Sequence, residues 1–353
     1  MNIAVIGAGN GGQAIAGDLA IKGHDVSLYD SNLELLEILK QKGGIELEGQ
    51  ILGFAKVTIA FTIKEAISNS EIIMIVTTAN AHGILGEQMA PFLKESQVVI
   101  LNPGRTCGAL EFRAGLNRAN CSKRIYLAEA QTLVFACRLR KNGHVNIIGI
   151  KDKILLSGLP STDTNYILNK LSLLYNCFIS AQNVLVTSLE NIGAIFHPIV
   201  VLFNAAAIER DNSFYFYRDM TMEVSRFIEK IDEERLKVGK AYGIDLLSAK
   251  DWVSFAYRNI KGDSLCDRMR NNPAYHDILA PTSINCRMLT EDVPTGLLPI
   301  SELGKIVDVR CDLMNSIIKI SQTLLNCDFY ATGRTLENLG INDMDKEKLL
   351  NSL

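Results

Sequence analysis

The sequence predicts an α/β domain followed by an all-α domain. Three observations carry this expectation. Short apolar runs alternate with amphipathic stretches through the first half. Two of those runs, Ile72–Val76 and Val98–Leu101, are continuously apolar, as strands buried on both faces are. Beyond residue 180 the apolar spacing becomes helical almost to the end. At 353 residues the chain is long enough for two domains of about 100–200 residues each. The expected division is 1–182 and 183–353.

Taken in order, Ile3–Ile6 reads as a strand and Gly11–Lys22 as a helix closed by Gly23. Val26–Tyr29 and Asn32–Gln41 repeat that pair. Gly43 to Val57 is punctuated by glycine and reads as a β excursion. Helical patterns at His82–Leu93 and Ala109–Asn117 flank the two apolar strands, which argues a parallel sheet covered on both sides. Ile179–Asn183 is the last strand-like piece. After it come three long helical patterns, Val184–Glu209, Met222–Tyr242 and Ile306–Leu325. Within the first of these, Ile195–Ala207 is apolar nearly all round, as a helix at a domain centre is. The tail, Asn342–Leu353, is polar and reads as peripheral.

Composition removes several function classes. Lys plus Arg is 36 against 39 Asp plus Glu, a formal charge of −3, so there is no basic footprint for nucleic acid or an anionic membrane. No uninterrupted apolar run approaches the ~18–20 residues that cross a bilayer. With 48% hydrophobic and 21% charged residues the chain is not a disordered one. Its eight cysteines are scattered and none forms a C-x-x-C pair, so no metal site is expected. They read as reduced thiols of a cytoplasmic protein. Met1–Gly7 lacks a basic n-region and reads as a strand entering a turn, not as a signal peptide. Composition leaves the assembly open, with a homodimer as one candidate.

Gly7-Ala8-Gly9-Asn10-Gly11-Gly12 is a G-x-G-x-x-G between the first strand and the first helix. Gly7 permits the tight turn, Gly9 lets backbone approach a pyrophosphate, and Gly12 lets helix and strand pack closely. The helix N-terminus offers N–H groups to the phosphates, and Asn10 is expected at the cofactor with Gly7, Gly9 and Gly12. Asp30, 18 residues after Gly12, ends the second strand and suits the adenosine ribose hydroxyls. A carboxylate there repels a 2′-phosphate, and Ser31-Asn32-Leu33 holds no cation, so NAD is expected over NADP. Ligands of such sheets bind outside the carboxyl ends of the strands. Thr77, Asn102 and Gly104 are therefore expected at the cofactor, with Arg105 a cation near a substrate anion. Asn102-Pro103-Gly104 reads equally well as a plain turn.

His197 lies in the most apolar helical stretch, where a lone histidine is more often a core residue. Pro198 beside it cannot donate to the carbonyl of Ala194, so a kink is expected there. Asn285–Gly296 contains Arg287, Glu291 and Asp292 before a Pro/Gly break. Helical spacing puts Arg287 and Glu291 together, while Asp292 joins Arg287 only if the chain turns. A solvated charged loop is the alternative reading.

Together these segments resemble the opine dehydrogenases, the octopine/nopaline and carboxyethyl-amino-acid dehydrogenase family. The resemblance runs nearly end to end. It rests on Gly7–Gly12, Leu101–Gly104, Gly108–Phe112, Asn183–Leu185, His197-Pro198, Leu202–Ala206, Asn272–Tyr275, Glu291–Leu297, Ser301–Gly304 and Gly333–Glu337. It implies a Rossmann domain followed by an all-α domain of the 6-phosphogluconate-dehydrogenase-like type. It also implies NAD(P)H-dependent joining of a 2-oxo acid, often pyruvate, to the amino group of an amino acid. By position His197 matches the family's catalytic histidine and Asp292 its acidic partner. Arg287 matches an arginine that holds a substrate carboxylate, and Asn204 falls in a block on the substrate side. The run Arg218–Glu223 after Phe214–Tyr217 departs from the family pattern and leaves the amine open. Two rivals remain. One is a simple reductase of the ketopantoate or glycerol-3-phosphate type, whose expected lysine is missing from Thr187–Ile199. The other is a nucleotide-sensing protein without turnover.

Overall fold

The computed structural model describes residues 1–257 and 260–353. It divides into two compact units, Met1–Ser188 with Ser352–Leu353, and Leu189–Asn351.

In the first unit β1 (Asn2–Ile6), α1 (Asn10–Ile21), β2 (Asp25–Tyr29) and α2 (Leu33–Lys42) form the opening repeat. Then come β3 (Ile45–Gly49), β4 (Gly53–Ala55), β5 (Thr58–Ile59), α3 (Ile63–Ile67), β6 (Ile72–Ile75), α4 (His82–Met89), β7 (Val98–Leu101) and α5 (Gly108–Arg118). The unit closes with β8 (Tyr126–Ala130), β9 (Phe135–Lys141), β10 (His144–Ile150), β11 (Ile154–Leu159), α6 (Thr164–Leu171), β12 (Phe178–Ser180) and the start of α7 (Val184–Leu189). Eight strands form one sheet in the order β12-β11-β8-β7-β6-β1-β2-β5. The run from β8 to β5 is parallel, but β11 pairs antiparallel with β8, so the sheet is mixed and not wholly parallel as expected. All four residues of β6 and of β7 are buried, which accounts for their unbroken apolar runs. The glycine-punctuated excursion is half of a second sheet, β4-β3-β10-β9. Val145 and Ile147 of β10 enter the same apolar core as Ile3, Val5, Ile15 and Leu19.

The second unit is built of helices: α8 (Ile192–Phe203), α9 (Ala205–Glu209), α10 (Met222–Ala241), α11 (Ala249–Ala256), α12 (Leu265–Arg270), α13 (Arg287–Thr290), α14 (Leu298–Ile306), α15 (Asp312–Leu325), α16 (Phe329–Thr332) and α17 (Lys346–Ser352). The pattern expected as one helix over Val184–Glu209 is three, broken at Glu190-Asn191 and at Asn204. Ile306–Leu325 is likewise interrupted, with Asp308 in the left-handed region at φ +56° between α14 and α15. Most of Asn342–Leu353 is exposed, as a peripheral tail is, while Leu349 and Leu353 are buried and anchor it. Val184–Phe203 is long and apolar enough by composition to cross a membrane, but most of it is buried inside the protein.

α8 is the centre of this unit, with Ala194, Ile195, Ile199 and Val201 fully buried. α10 packs along it. Arg235 of α10 is fully buried and donates to Asp232 Oδ1 at 2.7 Å, Leu189 O at 2.9 Å and Leu247 O at 2.6 Å. Asp232 also accepts from Ala249 N at 2.5 Å. This pair ties α10 to the chain entering α8 and to the start of α11. Removing one partner of a buried ion pair strands the other charge, which costs about 3–5 kcal/mol. Arg235→Leu is therefore expected to lower the unfolding free energy by about that amount, read as a fall in the urea midpoint, and a change below about 1 kcal/mol contradicts the assignment.

Candidate functional site

The turn between β1 and α1 is shaped for a closely approaching ligand. Gly7 sits at φ +104° and donates to Tyr29 O at 2.7 Å, in a region that favours glycine. A Cβ on Gly12 would fall 1.7 Å from Gly7 O, whereas one on Gly9 would meet nothing within 4 Å. Gly12 thus closes helix on strand, and Gly9 leaves space over the helix start, where N–H groups lack intrahelical acceptors. Asp30 accepts from Ala8 N at 2.6 Å and from Asn32 N at 2.9 Å. It braces the turn and keeps lone pairs for a ribose hydroxyl. Asn10 has a second duty, since its Oδ1 accepts from Leu139 N at 2.8 Å and its carbonyl from Cys137 Sγ at 3.4 Å.

Thr77 and Asn102 stand at the ends of β6 and β7. Thr77 Oγ1 and Asn102 Oδ1 are buried without a hydrogen-bond partner, although Asn102 Nδ2 donates to Met74 Sδ at 3.3 Å. Buried polar atoms are rarely left so. Two of them beside the open glycine turn fit a bound dinucleotide that supplies the missing partners.

The loop after β7 is held from below. Glu129, fully buried, accepts from Ala109 N at 2.8 Å, Thr187 Oγ1 at 2.6 Å and Ser188 Oγ at 2.8 Å. A Cβ on Gly104 would meet its Oε2 at 2.7 Å, which explains the glycine. Arg105 follows in the left-handed region at φ +59°. Glu129 went unnoticed in the sequence, where it is one acid in a strand.

In the second unit α8 carries His197, and Asp292 opens a π-helical turn over Val293–Leu297. That turn is marked by the bond from Leu297 N to Asp292 O at 3.1 Å, and it packs so tightly that a Cβ on Gly296 would lie 2.5 Å from Ala194 Cβ. The Pro/Gly break thus brings Asp292 onto α8. His197 Nδ1 lies 2.7 Å from Asp292 Oδ2, and Nε2 lies 3.0 Å from Tyr217 OH. An ionised carboxylate only accepts, so Nδ1 carries the hydrogen and Nε2 accepts from the tyrosine hydroxyl. Asp292 is 3% exposed and His197 19%, so the acid is shielded while the ring remains reachable. Tyr217 stacks on Tyr275, with ring centroids 4.4 Å apart, and Tyr257 OH donates to Tyr275 OH at 2.9 Å. His197, Tyr217, Tyr275, Trp252 and Met269 line one small recess. Tyr217 was visible only as part of an aromatic run; pairing with His197 has no local sequence signal.

Arg287 and Glu291 pair at i,i+4 as expected, Nε to Oε2 at 2.6 Å, with the arginine 63% exposed. Asn204 caps α8 by donating from Nδ2 to Val200 O at 2.9 Å. Among the described residues no group of three or more His, Cys, Asp or Glu is gathered to hold a metal ion.

Comparison with known proteins bears on both units. Residues 2–104 match the family described as NAD-dependent glycerol-3-phosphate dehydrogenase N-terminus. Residues 180–325 match NAD/NADP octopine/nopaline dehydrogenase, alpha-helical domain. The opine dehydrogenase of Arthrobacter sp. (strain 1C) is 34% identical over 344 residues, covering 97% of this chain and 95% of that protein. The chain belongs to the opine dehydrogenase family. It is a dehydrogenase that works with a nicotinamide cofactor, on a Rossmann-type domain followed by a helical one. The protein ocs of Agrobacterium tumefaciens (strain Ach5) is 27% identical, over 99% of this chain and 98% of that one. Octopine dehydrogenase solved with NADH and L-arginine shares the fold at a TM-score of 0.83, with 20% identity and coverage of 99% and 98%. A ketopantoate reductase from Ralstonia eutropha JMP134 superposes less well, at 0.63, with 17% identity and coverage of 92% and 99%.

Asp30 generates a test of cofactor choice. Like charges about 4 Å apart repel by on the order of 1–4 kcal/mol, so kcat/KM is expected to favour NADH, and Asp30→Ser to move the ratio about tenfold or more toward NADPH. Equal use of both cofactors by the unaltered enzyme contradicts this.

Proposed function

We propose that this enzyme condenses a 2-oxo acid with the amino group of an amino acid and reduces the product to a secondary-amine dicarboxylate, using NADH in preference to NADPH. The observation that carries the proposal is the His197–Asp292 pair, an oriented imidazole in an otherwise apolar helix. Amine and oxo acid first lose water to form an imine. Bound NADH supplies the hydride that reduces its carbon.

This chain's residues orient the reactants and manage protons. The attacking nitrogen arrives protonated and must shed a proton before it adds. His197 Nε2, the accepting nitrogen, takes it, and Asp292 steadies the imidazolium and fixes the tautomer. The same proton is available to the leaving hydroxyl as water departs. Tyr217 occupies Nε2 until a substrate amine replaces it. Arg287 holds a substrate carboxylate through its free nitrogens, with Glu291 fixing the guanidinium at Nε. The eight free thiols suit a cytoplasmic setting.

His197→Ala is expected to lower kcat by ~10²–10⁴-fold while NADH affinity, read by fluorescence titration, stays in place. Asp292→Asn loses rate in the same way through the wrong tautomer. Full turnover in either variant removes the pair from the mechanism.

The reaction class has its own test. NADH oxidation is expected to require pyruvate or another 2-oxo acid and an amino acid together, with mass spectrometry finding their N-linked reduced adduct. Reduction of the oxo acid alone at the full rate, without the adduct, replaces this reading with a simple reductase.

A further inference from the structure

Gln13 follows Gly12 in the first turn of α1 and is fully buried. Its side-chain amide is engaged at both ends. Nε2 donates to Ala8 O at 2.7 Å, and Oε1 accepts from Gly143 N at 2.8 Å. A carbonyl only accepts and a backbone N–H only donates, so these partners fix which way the amide points. Gly143 lies between β9 and β10, so Gln13 joins the glycine-rich turn to the second sheet of the same unit. Its backbone N–H also holds Gly9 O at 3.0 Å.

The consequence falls on the peptide between Ala8 and Gly9. That peptide is trans and planar, so its C=O and its N–H point in opposite directions. Drawing Ala8 O toward Gln13 therefore turns Gly9 N–H to the other side. Among the described residues that N–H meets no acceptor. The space beside Gly9 is open, since a Cβ there would meet nothing within 4 Å. A pyrophosphate oxygen is the kind of acceptor such a donor suits.

The glycine that makes this room also weakens the turn. Asp30 holds Ala8 N at 2.6 Å, so the peptide before Ala8 is fixed. The next plane can still rotate. Gly9 has φ −73°, and a flip of the plane carries it to a positive φ, which glycine accepts where other residues do not. The flipped turn presents a carbonyl where the N–H had been. The bond from Gln13 Nε2 opposes that flip.

We propose that Gln13 is a positioning residue for the cofactor. By holding Ala8 O, it keeps Gly9 N–H turned toward the pyrophosphate.

The test measures binding to the full-length enzyme by displacement of fluorescent NADH. Two probes are compared, ADP-ribose, which carries the pyrophosphate, and adenosine, which lacks it. Gln13→Met keeps the length of the side chain and loses both bonds. It is expected to raise the Kd of NADH and of ADP-ribose about tenfold, while the Kd of adenosine stays within about twofold. In turnover the effect is expected in NADH KM, not in kcat at saturating NADH. A second variant, Gln13→Glu, keeps the bond from Gly143 N but, when ionised, cannot donate to Ala8 O. It is expected to bind ADP-ribose weakly at about pH 8 and to regain most of the affinity near pH 6, as the buried carboxyl takes up a proton and donates again.

Unchanged ADP-ribose affinity in a folded Gln13→Met overturns the proposal. Equal losses for ADP-ribose and adenosine also overturn it and make Gln13 a general brace of the fold. If Gln13→Met does not fold, Gln13→Glu decides: recovery of ADP-ribose binding on acidification supports the role, and its absence overturns it. None of these measurements of binding involves an oxo acid or an amine, so the outcome is independent of the reaction proposed above.

Discussion

A carboxylate withdrawn from water has to be met by donors, and three such carboxylates fix the geometry on which this enzyme depends. Glu129 gathers Ala109 N, Thr187 and Ser188, and so secures the loop after β7. Asp232 takes Arg235 and Ala249 N, and so fixes α10 and α11. Asp292 takes His197. The first two are answered by permanent donors and act as clamps. The third is answered by a ring that can gain or lose a proton, and this separates a site from a brace. Burial of the acid makes its pairing obligatory, and the pairing sets which ring nitrogen is left as the acceptor.

The nucleotide half shows the complementary arrangement, polar atoms left for a guest to satisfy. Thr77 Oγ1 and Asn102 Oδ1 lack partners, and Gly9 leaves open space. Asp30 differs, because it already binds two backbone N–H groups. It serves the shape of the turn, so replacing it would change more than the charge offered to a cofactor.

The glycine-rich turn, the buried strands β6 and β7, and the long amphipathic helix α10 were legible because glycine spacing and apolar periodicity are local signals. The segments β8 to β11 were not. In β9, Arg138, Arg140 and Lys141 face outward on a strand only partly buried, and such a pattern looks like loop. The break between α14 and α15 escaped because apolar spacing continues across it while the backbone at Asp308 turns left-handed. In the candidate site, His197, Asp292 and Arg287 were singled out through several motifs at once, and the structure pairs the first two. Tyr217 and Glu129 were not, since each has its contacts from partners 20 to 59 residues away. No single-chain pattern encodes those distances.

The hydroxyl of Tyr217 on His197 Nε2 gives the resting enzyme a fully occupied imidazole. An incoming ammonium is a charged donor, and its bond to the same nitrogen is about twice as strong as one from a neutral phenol. In the proposed reaction, arrival of the amine is thus an exchange of one donor for a better one, not the capture of a vacant base. A neutral alcohol offers no such advantage over the tyrosine. In that reaction the aromatic side chain biases the base toward cationic nitrogen.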